Sequence, residues 1–72
     1  MMYSVKKFTL KAAQSQTFKV NGVTYHAPPC WGVVDECGQI VIRETAIGPR
    51  FEAYESKTIA QHQADWHNRQ EN

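Results

Sequence analysis

The side chains with the widest chemical reach in this chain are His26, Cys30, Cys37, His62 and His67. Together they could hold zinc, which takes four nitrogen or sulfur ligands in a tetrahedron. Their spacing argues against it. Six residues separate Cys30 from Cys37, where common zinc frameworks leave roughly two to four. His62 and His67 lie five positions apart, about 140° around a helix, so they project in different directions. A surface histidine pair and two small buried thiols are the expected roles, and a zinc-binding domain ranks third among the readings of function.

Cys30, with His26 four residues upstream, also outlines a nucleophile and its base. No signature surrounds either cysteine, and a 72-residue chain has little room for a pocket of a few hundred Å3. Gly22, Gly32, Gly38 and Gly48 stand singly, so no glycine-rich loop enters a helix to cradle phosphate. Asp35 and Glu36 fall at an expected hairpin tip. Glu52 and Glu55 precede an expected helix, where negative charge suits the dipole. Neither carboxylate pair is expected in the sheltered setting that acid–base catalysis needs. The expectation is a protein that is not an enzyme and carries no metal or cofactor.

Charge is distributed unevenly. Residues 1–34 contain Lys6, Lys7, Lys11 and Lys19 and no acid, while residues 35–72 carry seven acids against Arg43, Arg50, Lys57 and Arg69, a balance of −3. Such asymmetry can mark a nucleic-acid surface, and Tyr3, Phe8, Phe18 and Tyr25 accompany the lysines. Four lysines are few beside the roughly 6–10 phosphate contacts of a DNA-binding protein. A nucleic-acid-binding module that uses the basic half is therefore the second reading of function.

The elements that position these residues are strands, then a helix. Asn21-Gly22 sits between alternating runs, the strongest short-range hairpin signal. The register it implies pairs Val20 with Val23 and Phe18 with Tyr25, so four apolar side chains share one face. Upstream, Tyr3 to Leu10 is rich in strand formers, with a bulge expected at Lys6-Lys7 where the alternation switches. Downstream of Pro28-Pro29, a second hairpin is expected to turn at Glu36-Cys37-Gly38, with Gly38 left-handed. Gly48-Pro49 is expected to stop its second strand. From Ser56, the expected N-cap, to Gln70 there is neither Gly nor Pro, and Ile59, Gln63 and Trp66 recur at helical spacing.

The expected fold is one α+β domain over residues 1–72. It has strands near 2–11, 17–20, 23–27, 31–35 and 39–44, in one antiparallel sheet of four or five strands. One C-terminal helix, near 56–70, packs on one face with Ile59 and Trp66 buried. The second hairpin is apolar on both faces, and one helix covers only one of them. Trp31, Val33 and Val41 are thus the candidate interaction surface, unless the N-terminal strand or the Phe51–Tyr54 connector folds across them. The first reading of function follows: a small non-catalytic protein-binding or regulatory accessory protein, such as an inhibitor of a larger assembly. Its partner is expected to be another protein or a second copy of the chain.

Size, element order and the missing catalytic motif are in keeping with small accessory proteins of bacteria, prophages and plasmids. The sequence contains no apolar run of membrane-spanning length. Its start, Met1-Met2-Tyr3-Ser4-Val5-Lys6-Lys7, has no secretion-signal pattern. With only two cysteines, a cytoplasmic location is expected.

Overall fold

The structure, a computed structural model, describes residues 2–70. Strand β1 spans Ser4–Lys7, helix α1 Leu10–Gln14, β2 Thr17–Val20, β3 Val23–His26 and β4 Trp31–Val34. Then follow β5 (Ile42–Thr45), β6 (Gly48–Phe51), β7 (Ala53–Tyr54) and helix α2 (Lys57–Gln70). The fold is α+β with antiparallel strands. In place of the single sheet expected, the strands divide into a three-stranded sheet β1-β4-β7 and the two ribbons β2-β3 and β5-β6.

The Asn21-Gly22 hairpin has the register its sequence implies, from Thr17 opposite His26 to Val20 opposite Val23. Asn21 and Gly22 both have positive φ, at 51° and 81°, as the tight two-residue turn demands. The N-terminal strand is shorter than expected. Thr9 leaves the strand and caps α1, its hydroxyl accepting from the Ala12 amide at 3.2 Å, and Leu-Lys-Ala-Ala-Gln continues as helix because all five residues favour it. No bulge is needed at Lys6-Lys7: β1 pairs regularly with β4 from Ser4–Val34 to Lys7–Trp31. Tyr3 and Val5 simply face one side of the sheet and Phe8 the other.

The second hairpin turns where expected. Asp35 Oδ1 accepts from the amides of Cys37 and Gln39, and Gly38 has φ of 81°. Its second strand, however, divides. Ile40 bridges to Val34 and the Val41 amide donates to the Val33 carbonyl, after which Ile42–Thr45 turns away to pair with β6. Three backbone bonds close a triangle at the division: Val41 N–H to Val33 O, Val33 N–H to Glu52 O, and Glu52 N–H to Val41 O, at 2.8–2.9 Å. Gly48 and Pro49 lie inside β6. Because β6 pairs only with β5, the amide that proline lacks is not missed by a second neighbour.

Both faces of the central sheet are covered from within the chain. On one, Val33 lies beneath Ala60 and Ala64 of α2, all three wholly buried, with Tyr3, Val5, Trp31, Val41 and Tyr54 around them. On the other, Phe8, Val34 and Ile40 pack with Ala13 of α1 and with Ala27. Gly32 lets these layers close: a Cβ there would stand 2.9 Å from the Phe8 ring.

Candidate protein-binding face on the C-terminal helix

Helix α2 begins at Ser56, whose hydroxyl accepts from the Ile59 amide at 3.3 Å. Its rotation differs from the one its apolar spacing implies. Ala60 and Ala64 face the sheet, while Ile59 and Trp66 are 51% and 48% exposed. Two effects set this orientation. Alanines let the helix axis approach the sheet closely, where Ile and Trp would hold it off. Polar side chains at the far end then fix the angle. Asn68 presents its amide to the edge of the sheet at Tyr3, accepting from the Tyr3 N–H at 2.7 Å and donating to its carbonyl at 3.0 Å. His67 turns inward and bonds through Nε2 to the Glu52 carboxylate.

Glu52 is the residue that sequence reasoning placed wrongly. It was expected to be unsheltered near a helix start, yet it is 2% exposed. The backbone triangle with Val33 and Val41 holds its main chain, and its carboxylate takes His67, the Tyr54 hydroxyl at 3.4 Å and Arg43 at 4.0 Å. A lone acid between Phe51 and Ala53 gives no sign of this. Burial, and then the Glu52 charge, push the Tyr54 phenol above its ordinary pKa; the opposing charge of Arg43 is smaller, and the hydrogen bond to Glu52 adds least.

Outside this network, α2 and Arg43 of β5 enclose an open groove of about 570 Å3, lined by Arg43, His62, Gln63, Asp65, Trp66 and Arg69. Of its lining, His62, Gln63, Trp66, Arg43 and Arg69 stand out in the sequence only in other roles, and Asp65 in none. The Trp66 indole meets the His67 ring edge-on at 5.1 Å between centroids, so its orientation is tied to the buried pair.

The candidate surface of Trp31, Val33 and Val41 lies largely inside the molecule. Val33 is fully enclosed, and Trp31 and Val41 are half-buried against α2. Lys7 and Lys57 also set their ammonium groups 5.8 Å and 5.2 Å from the Trp31 ring. Any contact through this patch would involve only the remaining surface of Trp31 and Val41. The four N-terminal lysines do not share one face. Lys6 and Lys7 are neighbours on β1 and point to opposite sides, Lys6 over the Phe8 ring at 5.4 Å. Lys11 is on α1 and Lys19 on β2.

Nor are the chemically reactive side chains gathered. Among the described residues no three of His, Cys, Asp and Glu come together as metal ligands. His26 donates from Nδ1 to the Gln14 carbonyl at 3.0 Å, and His62 is exposed in the groove. Cys30 and Cys37 are free thiols, but neither is buried as expected: Cys30 is half-buried and Cys37, at the hairpin turn, is exposed. Burial, aided by the charge of Glu55, pushes the Cys30 thiol up, which disfavours the thiolate a nucleophile requires. No helix of the described residues is long and apolar enough to cross a membrane. Comparison with protein-family models, curated proteins and solved structures gave no match.

Proposed function

We propose that this chain is a non-catalytic, cytoplasmic protein-binding module that recognises its partner through the outer face of α2. One observation carries the reading. The helix turns its smallest side chains to the sheet and leaves Ile59 and Trp66, one heptad apart, half in water. Exposed aromatic and aliphatic groups beside a groove are what interfaces use as anchors. Two unpaired cysteines suit a reducing compartment. The regulatory role follows from size, since a domain this small acts through occupancy of a site on something larger.

The test compares wild type with the double variant Ile59→Lys, Trp66→Lys as bait in extracts of the source organism. The variant should keep the wild-type circular dichroism and melting transition while losing proteins that wild type retains. Identical retained sets would remove α2 as the binding face. Collapse of the variant would show that these side chains are structural.

A further inference from the structure

The open edge of a sheet is a row of unpaired N–H and C=O groups that can recruit another strand, and charge, proline and shortness are the usual safeguards. Most edges of this chain carry one. Strand β1 has Lys6 and Lys7 and is capped at Tyr3 by Asn68, and β7 has only two residues. Lys19 marks β2, Arg43 and Glu44 mark β5, and Pro49 and Arg50 mark β6. Strand β3 differs. It reads Val-Thr-Tyr-His, without proline, lysine, arginine or acid, and all four residues are exposed. Its only neighbour is β2. The direction of its free groups is fixed as well. At the open end of the ribbon the Ala27 amide donates to the Gln16 carbonyl at 3.0 Å. Antiparallel bonding alternates, so Val23 and Tyr25 bond toward β2 while Thr24 and His26 turn their N–H and C=O outward.

We propose that β3 pairs antiparallel, across a two-fold axis, with β3 of a second copy of this chain, joining two ribbons of two strands into one sheet of four. The outward groups select the register. Centring the axis on Thr24 sets His26 against the turn at Gly22, and centring it on His26 sets Thr24 against Pro28, which has no N–H. Centring on Tyr25 pairs Thr24 with His26 of the second copy, twice over, and each pair exchanges both its N–H···O bonds. The occupant follows from what meets across the axis. A two-fold sets a strand against itself, so a lysine-bearing edge meets its own charge; β3 has none, and its histidines do not face each other. Tyr25, 44% exposed and stacked on Phe18 at 5.3 Å, meets its counterpart in the close, non-hydrogen-bonded pair, where aromatic partners stabilise a sheet. The outer strands of the joined sheet are β2 with Lys19, so pairing stops at the dimer. No residue of α2 takes part, and the dimer presents the proposed binding face twice.

Sedimentation equilibrium and amide hydrogen exchange of the purified chain test this. An edge of four residues makes a small interface, so a dimer should form on the order of 10–100 µM. As concentration rises through that range, exchange at the Thr24 and His26 amides should slow, while Val23 and Tyr25, already bonded to β2, should change little. Thr24→Pro removes one outward N–H at an edge position that tolerates proline, and should weaken the dimer by about tenfold or more. Tyr25→Lys and Tyr25→Glu each set like charges face to face, and should be monomeric alone but associate when mixed. A wild type that is monomeric up to about 1 mM overturns the proposal, as do polymers larger than dimers. A dimer that Thr24→Pro leaves intact, or a mixture no tighter than its components, overturns it as well. Loss of the dimer in Ile59→Lys, Trp66→Lys would place the contact on α2 instead. If Thr24→Pro does not fold, the exchange pattern and the mixture decide. Failure here leaves the α2 reading standing, because the extract comparison does not depend on β3.

Discussion

The two faces of the β1-β4-β7 sheet are sealed in different ways. Helix α1, five residues long, contributes one wholly buried alanine. It depends on the residue just past its end: Gln16, 8% exposed, donates from Nε2 to the Gly38 carbonyl at 3.1 Å and accepts at Oε1 from the Ile40 amide at 2.9 Å. Helix α2, 14 residues long, lays two alanines on the sheet and is fixed by Asn68 and by His67 on Glu52. On each face a side-chain amide takes the place of a missing strand. Only the α2 face adds a buried charge. The cost of losing an anchor should therefore be greater beneath α2, because a stranded carboxylate is worse than a stranded peptide group.

The largest effect is expected at that charge. His67→Ala leaves the Glu52 carboxylate enclosed with only Tyr54 and a distant Arg43, and should lower the unfolding free energy by about 3 kcal/mol or more. Glu52→Gln keeps the shape and an acceptor oxygen, so it should cost less. Urea titrations of the three proteins measure the difference. A loss below about 1 kcal/mol for His67→Ala would place the pair in effective contact with water and erase the contrast between the faces.

Gln16→Ala should come next, at about 1–3 kcal/mol, since it strands the Ile40 N–H and the Gly38 carbonyl. Its signature is local. Hydrogen exchange at the Ile40 amide should accelerate more than at Val33, whose own bond runs to Glu52. Equal acceleration at both would mean that the two faces unfold as one unit.

What could be read from the sequence follows the same division between local and non-local signals. The Thr17–His26 ribbon is legible because its turn residues and its alternation agree. The β5-β6 ribbon is not. Its turn is held by the Thr45 hydroxyl, which donates to the Gly48 carbonyl at 2.7 Å and accepts from the Ile47 amide at 3.2 Å, and its Gly48-Pro49 reads as a stop. Helix α1 carried a readable signal, Thr9 ahead of five helix formers, masked by the strand propensity of Phe8 and Leu10. Without α1, the face of Phe8, Val34 and Ile40 has no helix to cover it. The candidate site was hidden for another reason. The rotation of α2 is decided by alanines and by a carboxylate 15 residues from its histidine, contacts that no periodicity encodes.

A smaller effect separates the two sides of α2 itself. Trp66→Ala removes a half-exposed ring and should change stability by no more than about 1 kcal/mol. Ala60→Leu forces new atoms between helix and sheet and should cost about 1–3 kcal/mol. Thermal melts of the pair report which side faces in. If Trp66→Ala were the more damaging, the outer face would be part of the core and the proposed binding surface would be lost.

The smallest effect is electrostatic and appears only in alkali. Tyr54, beside Glu52 on the α2 face, has its pKa raised above the ordinary 10.0 by burial and by the neighbouring carboxylate. The unfolded chain therefore releases this proton first. In the window just above the ordinary value the folded state holds more protons than the unfolded one, so stability falls as pH rises. The contribution is complete below about pH 10 and is lost as pH climbs through the raised value. Tyr54→Phe has no proton to lose. Between about pH 8 and about pH 10.5 its melting temperature should decline less than that of wild type, and it should do so despite losing the weak 3.4 Å bond to Glu52. Parallel declines would show that the phenol is no harder to ionise folded than unfolded, and that neither burial nor the Glu52 charge acts on it.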